Sequence, residues 1–190
     1  MAEPARKRAT YEDLLAAPRN LVAEIVGGVL HTHPRPAPRH ALAASGLGAV
    51  VGSPFHHGRG GPGGWWILDE PELHLADGDV LVPDLAGWKL ETLPELPETA
   101  YFTRAPDWVC EVLSPSTEAD DRAEKMPLYA SAGIAHAWLV DPLIKTLEIF
   151  RLQAGSWPLV RTARGDAPVR AEPFDAIEID LGALWRPPVR

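Results

Sequence analysis

The chain has 190 residues, of which 46% are hydrophobic and 23% charged, with a formal net charge of −8 at pH 7. We expect one domain over residues 1–190, with residues 1–9 as a flexible tail, because this length can bury a substantial core. The sequence contains no apolar run long enough to span a membrane, and its single cysteine excludes a disulfide framework or a cysteine-rich zinc site, so a cytoplasmic protein is the simplest prediction.

The first predicted elements are a short helix and a β-hairpin. Thr10 before YEDLLAA indicates a helix N-cap with acidic residues in the first turn, and Pro18 ends that helix. AEIVGGVLHTH predicts a hairpin around Gly27-Gly28, because glycines readily supply the positive φ angles of a tight turn. After the stiff connector PRPAPR, a helix rich in small residues is expected from His40 to Val51.

Four strands are expected next: WWIL, ELHL, DVLVPDLAGW and DWVCEVLS. A helix from Thr117 to Ala132 follows, with a kink or restart at Pro127 and a stop at Gly133. The strands HAWLVD and KTLEIFRL then close the sheet, and smaller strands fill the tail. This order of elements indicates an α/β protein.

Two carboxylates interrupt apolar strands. Asp84 lies within DVLVPDLAGW and Glu111 within DWVCEVLS. A buried ionised carboxylate is costly unless it is paired or binds a metal, and two such acids can meet if their strands are neighbours. Their oxygen atoms suit Mg²⁺ or Mn²⁺. A salt bridge to arginine, or a position facing a loop, is the alternative for either residue.

Several segments together resemble the Uma-two family of restriction endonucleases, part of the PD-(D/E)XK nuclease superfamily. The resemblance covers nearly the whole chain and implies a restriction-endonuclease-like mixed central β-sheet flanked by helices, with an N-terminal helix and hairpin. It is carried by VLVPDLAGW, PDWVCEVLSPST and HAWLVDP, and by a helix with Glu124, Lys125 and Tyr129.

The resemblance also assigns roles to individual residues. It implies that Pro83-Asp84 is the "PD" of the superfamily pattern, that Glu111 is the "(D/E)", and that Glu24 is the N-terminal glutamate of the family. Asp84 and Glu111, with the backbone carbonyl of Val112, are then expected to hold the metal ion.

The sequence departs from the superfamily pattern at Leu113, where a lysine is expected two residues after Glu111. That lysine orients the attacking water and stabilises charge on the phosphate. Lys125 on the following helix is the natural replacement, and the resemblance implies that a migrated lysine is a feature of the family. The alternative is a solvated helix residue paired with Asp121, four positions earlier.

Three further residues are candidate accessory groups. His40 aligns with a family histidine and is otherwise a cap or surface residue. Asp121 either helps to position Lys125 or is an acid favoured by the helix dipole, and Tyr129 either reaches the site or lies in the core. A separate pair, His31 and His33, shares one strand face, but the sequence shows no third zinc ligand.

These residues predict a metal-dependent endonuclease that hydrolyses DNA phosphodiester bonds with Mg²⁺ or Mn²⁺. The net charge of −8 argues against a nonspecific DNA coat but not against a nuclease, because a metal site concentrates carboxylates. A homodimer is expected, since duplex cutters commonly need two active sites and aromatic residues such as the seven tryptophans are enriched at interfaces. The alternative is a catalytically silent nucleic-acid-binding or regulatory homo-oligomer with the same fold.

Overall fold

The computed structural model describes residues 8–187, which form β-sheets with short helices packed against them. In chain order the strands are β1 Leu21–Val26, β2 Val29–Pro34, β3 Trp65–Asp69, β4 Leu73–His74, β5 Val80–Leu81, β6 Leu85–Lys89, β7 Trp108–Val112, β8 His136–Asp141, β9 Thr146–Arg151, β10 Leu159–Arg164, β11 Pro168–Val169 and β12 Ile179–Asp180. The α-helices are α1 Tyr11–Leu15, α2 Pro38–Val51, α3 Glu118–Asp120 and α4 Met126–Ser131.

A six-stranded mixed sheet in the order β10-β9-β8-β7-β6-β3 forms the centre of the fold. Strands β7 and β8 are parallel, and the other neighbours in this sheet are antiparallel. The chain between β7 and β8 crosses over through α3 and α4, as a parallel pair requires. A four-stranded sheet, β2-β1-β5-β4, contains the N-terminal hairpin. The predicted α/β fold with a mixed central sheet is confirmed.

Strand β7 is buried on both faces. Trp108, Cys110 and Val112 pack into one core cluster that also contains residues of α2. Val109 belongs to a second cluster on the opposite face, together with Tyr129 of α4. Because side chains alternate along a strand, Glu111 points to the same face as Val109, and an acid is thereby placed inside an apolar layer.

The N-terminal predictions agree with the structure. Thr10 and Asp13 form a capping box at the start of α1, in which the side chain of each accepts a hydrogen bond from the backbone N–H of the other. Gly27 and Gly28 have φ angles of +60° and +80° in the hairpin turn. Of the expected tail, residues 1–7 lie outside the described residues, whereas the Ala9 N–H donates to the Gly28 carbonyl at 2.8 Å.

The segment DVLVPDLAGW is two strands rather than the single strand expected. Val80–Leu81 joins the four-stranded sheet through β1, and Leu85–Lys89 joins the six-stranded sheet. Pro83 separates them because proline has no N–H to donate to a ladder. Asp84 consequently lies where the chain passes from one sheet to the other, one residue before β6.

The helical segment after β7 is also divided. Between α3 and α4 the residues Asp121–Lys125 form a π-helical turn, and Pro127 lies in the first turn of α4. The expected irregularity beside Pro127 is therefore present as a change from π-helical to α-helical hydrogen bonding, while the backbone stays helical through Lys125 and Met126. Within residues 8–187 no helix is long and apolar enough to cross a membrane.

Candidate active site

A cavity of about 340 Å³ opens where the two larger sheets meet the segment that precedes α4. Its walls include all four residues predicted to be catalytic: Glu24 of β1, Asp84, Glu111 of β7 and Lys125. The structure thus brings together side chains that are separated by up to 101 positions in the sequence, from residue 24 to residue 125.

The pairing of β6 with β7 places Asp84 beside Glu111. Leu85 is paired with Cys110 in this antiparallel ladder, so Asp84 extends β6 opposite Glu111. The Val112 N–H donates to Asp84 Oδ2 at 2.7 Å. This hydrogen bond fixes the Asp84 carboxylate at the end of β7, even though Asp84 itself lies outside the strand.

Lys125 lies at the centre of three carboxylates. Its Nζ atom is 3.0 Å from Glu24 Oε1, 3.2 Å from Glu111 Oε1 and 3.2 Å from Asp121 Oδ1. Lys125 is 5% exposed, so the alternative of a solvated helix residue is wrong, although the pairing with Asp121 is present. The π-helical turn widens the helix at this point, a distortion that is frequent at functional sites.

The charges of this cluster explain its unusual acid–base behaviour. Burial by itself lowers the pKa of Lys125, but the nearby Glu111, Glu24 and Asp121 carboxylates outweigh it and raise that pKa well above the ordinary lysine value. The surrounding carboxylates therefore favour the ammonium form of Lys125. Burial also raises the pKa of Glu111 well above the ordinary carboxyl value, with further increases from Asp121, Asp84 and Glu24 that the attraction of Lys125 opposes.

Tyr129 and Asp121 hold the two principal groups in place. The Tyr129 hydroxyl donates to Glu111 Oε1 at 2.5 Å, and Tyr129 is completely buried. Asp121 is 3% exposed, and its pKa is raised by burial against the opposing effects of Lys125 and of a hydrogen bond from Thr117. Asp121 is thus an integral part of the cluster rather than an exposed acid of the first helical turn.

His40 contacts the other side of Asp84. It lies in the first turn of α2, and its Nε2 atom is 3.3 Å from Asp84 Oδ1. Burial lowers the pKa of His40, but the Asp84 carboxylate and the Val112 carbonyl outweigh this and raise it. The Nδ1 atom of His40 is buried and has no hydrogen-bond partner among the described residues.

The carboxylate oxygens that line the cavity are suitable ligands for a divalent cation that prefers oxygen. Glu24, Asp84, Glu111 and Asp121 supply carboxylates, and Lys125 provides the neighbouring ammonium. This excess of acids over bases is costly in a buried cleft unless a proton or a cation neutralises it. Carboxylate oxygens in such a number are the ligands that Mg²⁺ and Mn²⁺ prefer.

Arg35 is a cavity residue that sequence reasoning missed. It lies on the connector PRPAPR, which the sequence indicated only as a stiff spacer, and its side chain is 62% exposed. Its guanidinium is 3.7 Å from Glu70 Oε2. The sequence contained a signal for Arg35. This basic residue lies on the connector between the hairpin that carries Glu24 and the helix that carries His40, and such a connector must pass close to the site.

Comparisons with known proteins agree with this architecture. Residues 8–182 match the family model Uma2, described as "Putative restriction endonuclease". No curated protein matches the sequence. Among solved structures, the chain is similar to one titled a "putative nuclease belonging to DUF820" from Anabaena variabilis, with a TM-score of 0.75 and 21% sequence identity, over 93% of this chain and 97% of that one.

Proposed function

The chain belongs to the Uma2 family, and from this premise we propose that it is a metal-dependent endonuclease that hydrolyses DNA phosphodiester bonds. The single observation that carries the proposal is the buried contact of Lys125 with Glu24 and Glu111 beside Asp84. An ammonium ion next to an acidic group that can bind a metal is a set of charges suited to phosphodiester hydrolysis.

Asp84 and Glu111 are the residues proposed to hold Mg²⁺ or Mn²⁺, together with the backbone carbonyl of Val112. A bound divalent cation supplies polarisation of the phosphoryl oxygen and a lower pKa for the attacking water. Both contacts described for the Glu111 carboxylate use Oε1, which leaves Oε2 as the oxygen for a cation. Glu24 completes the acidic wall, directly or through water.

Lys125 is proposed to orient the attacking water and to share the negative charge that develops on the phosphate. Its ammonium form is secured by the three surrounding carboxylates. His40 has a raised pKa beside Asp84 and is placed to hold that carboxylate in a fixed orientation. Tyr129 does the same for Glu111 through its hydroxyl group.

A nucleic-acid-binding protein without cleavage activity is the second candidate. Leu113 occupies the position where the superfamily has its lysine, and the chain carries a net charge of −8. The position of Lys125 favours a catalytic function. Its ammonium group contacts Glu111 from the following helical segment, instead of from position 113 on the strand side. Lys125 and its three carboxylate partners all line one open cavity. Ion pairs that served only to stabilise the fold would not require such a cavity.

The test is a plasmid-nicking assay with Mg²⁺ or Mn²⁺, applied to the unmodified protein, Asp84→Asn and Asp175→Asn. Asp175 is exposed and distant in sequence from every cavity residue, so it is a matched control. We expect nicking by the unmodified protein and by Asp175→Asn, and a loss of about a hundredfold or more in Asp84→Asn. Absence of nicking across metals and substrates, with DNA binding retained, would support the silent nucleic-acid-binding protein instead.

A further inference from the structure

Two histidines on the N-terminal hairpin meet an acid from the crossover segment outside the carboxylate cluster. His31 and His33 are two positions apart on β2, so their side chains share one face. Asp120 is the last residue of α3. Each of the three offers one ligand atom, and these atoms all lie within 4.8 Å of one another.

The three side chains are half-buried and open to a ligand. The His31 side chain is 20% exposed and that of Asp120 is 32% exposed. His31 Nδ1 lies 3.6 Å from Asp120 Oδ2, and His31 Nε2 lies 3.7 Å from Glu124 Oε2. Both separations are too long for a hydrogen bond. The imidazole and the two carboxylates are therefore close neighbours that are not hydrogen-bonded to each other.

We infer that His31, His33 and Asp120 form a second divalent-metal site that takes a transition ion of the Zn²⁺ class. Two imidazole nitrogens and one carboxylate oxygen form a donor set that suits Zn²⁺, whose bonds to such ligands are about 2.0–2.2 Å long. Mg²⁺ prefers oxygen ligands alone. Small rotations of these partly exposed side chains would bring the three ligand atoms together. Glu124 faces the other ring nitrogen of His31 and is not one of the ligands.

The location gives the site a structural role beside the acidic cavity. His31 is the cross-strand partner of Glu24, and His33 lines the same cavity as Glu24. Asp120 immediately precedes Asp121, which contacts Lys125. A metal ion on these three residues therefore ties the hairpin that carries Glu24 to the segment that carries Lys125.

The experiment is calorimetric titration of the full chain with Zn²⁺, followed by the visible absorption of the Co²⁺-substituted protein. The variants are His31→Gln, His33→Gln and Asp120→Asn, and the controls are Asp84→Asn and His57→Gln. His57 belongs to a separate group of aromatic rings with His56. Circular dichroism and the thermal midpoint without metal establish that each variant is folded.

We expect the unmodified protein and His57→Gln to bind Zn²⁺ at this site with similar affinity. Asp84→Asn removes a ligand of the proposed active-site cation, so it should lose at most that separate binding event and keep the Co²⁺ absorption of the histidine site. The three ligand variants should bind Zn²⁺ at this site at least about tenfold more weakly and lose the Co²⁺ absorption. Bound Zn²⁺ should also raise the thermal midpoint of the unmodified protein, because a ligand specific for the folded state stabilises it. No Zn²⁺ binding, equal binding by the ligand variants, or binding lost in Asp84→Asn alone would overturn the inference. Because these readouts do not involve cleavage, a failure of the proposed nuclease activity is a separate result.

Discussion

At the scale of single residues, the charge of the candidate active site depends on Lys125. Its ammonium group neutralises part of the negative charge of Glu24, Glu111 and Asp121. A lysine held in this way is a poor choice for stability alone, because burying a charged group costs free energy that the ion pairs only partly recover. Its presence therefore favours a role in the chemistry.

Replacement of Lys125 by alanine should separate catalysis from metal binding. We expect Lys125→Ala to lower the rate of Mg²⁺-dependent plasmid nicking by about a hundredfold or more, through the loss of transition-state charge stabilisation. Calorimetry should show tighter Mg²⁺ binding, because the carboxylates no longer share their charge with an ammonium ion. The control is Lys145→Ala on the exposed turn after β8, and equal nicking rates in both variants would reject the proposed role of Lys125.

At the scale of elements, the contact between β6 and β7 decides whether Asp84 reaches Glu111. Gly87 is paired with Trp108 in this ladder. A Cβ atom at position 87 would lie 3.0 Å from Ile67 Cδ1 and 3.1 Å from Trp108 Cε3. The glycine thus permits a tryptophan to pack directly over the neighbouring strand.

Gly87→Ala should therefore destabilise the protein, whereas Gly52→Ala should not. Overpacking in a dense core typically costs about 1–3 kcal/mol. Gly52 has helical dihedral angles, φ −63° and ψ −39°, and a Cβ built there would meet no atom within 4 Å other than its chain neighbours and its own helix backbone. Alanine should therefore be neutral or should stabilise by up to about 1 kcal/mol. Urea unfolding of both variants gives the two free energies, and equal stability would show that β6 can shift without cost.

The first residue of β8 supplies a pH-dependent contribution to stability. His136 is half-buried, and its Nδ1 atom is buried without a hydrogen-bond partner among residues 8–187. Burial lowers the pKa of His136, and the neighbouring Arg151 and Lys89 lower it further, against Glu172 and Asp107. The folded state therefore favours the neutral imidazole.

This lowered pKa predicts a loss of stability on acidification. The unfolded chain binds a proton at His136 near its ordinary pKa of about 6.5, above the folded value, so this contribution is complete above that pH and falls as the pH drops through it. Urea unfolding at about pH 7.5 and about pH 5.5 should show a smaller decrease in the free energy of unfolding for His136→Gln than for the unmodified protein. Identical decreases would show that His136 does not contribute.

At the scale of the whole molecule, the tryptophans give no support to the predicted homodimer. Trp88, Trp108 and Trp138 are completely buried, and Trp65 is 8% exposed. The indole N–H groups of Trp66 and Trp157 donate to backbone carbonyl oxygens of the same chain. These residues fill the core and secure loops, so they do not indicate an interface.

The homodimer stays a prediction because cleavage of both strands of a duplex commonly uses two active sites. The surface offers exposed apolar side chains at the ends of the central sheet: Leu143 and Ile144 after β8, and Leu159 and Val160 on the edge strand β10. Light scattering across a range of concentrations should give twice the mass of the chain, 2 × 20.6 kDa. A monomer mass at every concentration, in a protein that cleaves both strands, would contradict it.

The sequence by itself determined the order of most elements and the residues of the candidate site. Local signals were sufficient where the physics is local: the Thr10 cap, the paired glycines of the hairpin and the helix irregularity beside Pro127 each depend on neighbouring residues. Asp84 and Glu111 were recognisable because charged side chains in apolar segments are rare, and Lys125 was recognisable because its segment resembles that of a known family.

Only the tertiary structure decided how these residues meet. The division of DVLVPDLAGW between two sheets depends on which distant strands supply hydrogen bonds to each half, and no local pattern records that choice. Asp121 is central because the segment that carries it also places Lys125 against Glu24 of β1 and Glu111 of β7. The same segment brings Asp120 close to His31 and His33 of the hairpin. Contacts between residues almost ninety positions apart depend on the whole fold, because chain-distant partners are chosen by the sum of all packing interactions rather than by their own sequence neighbours.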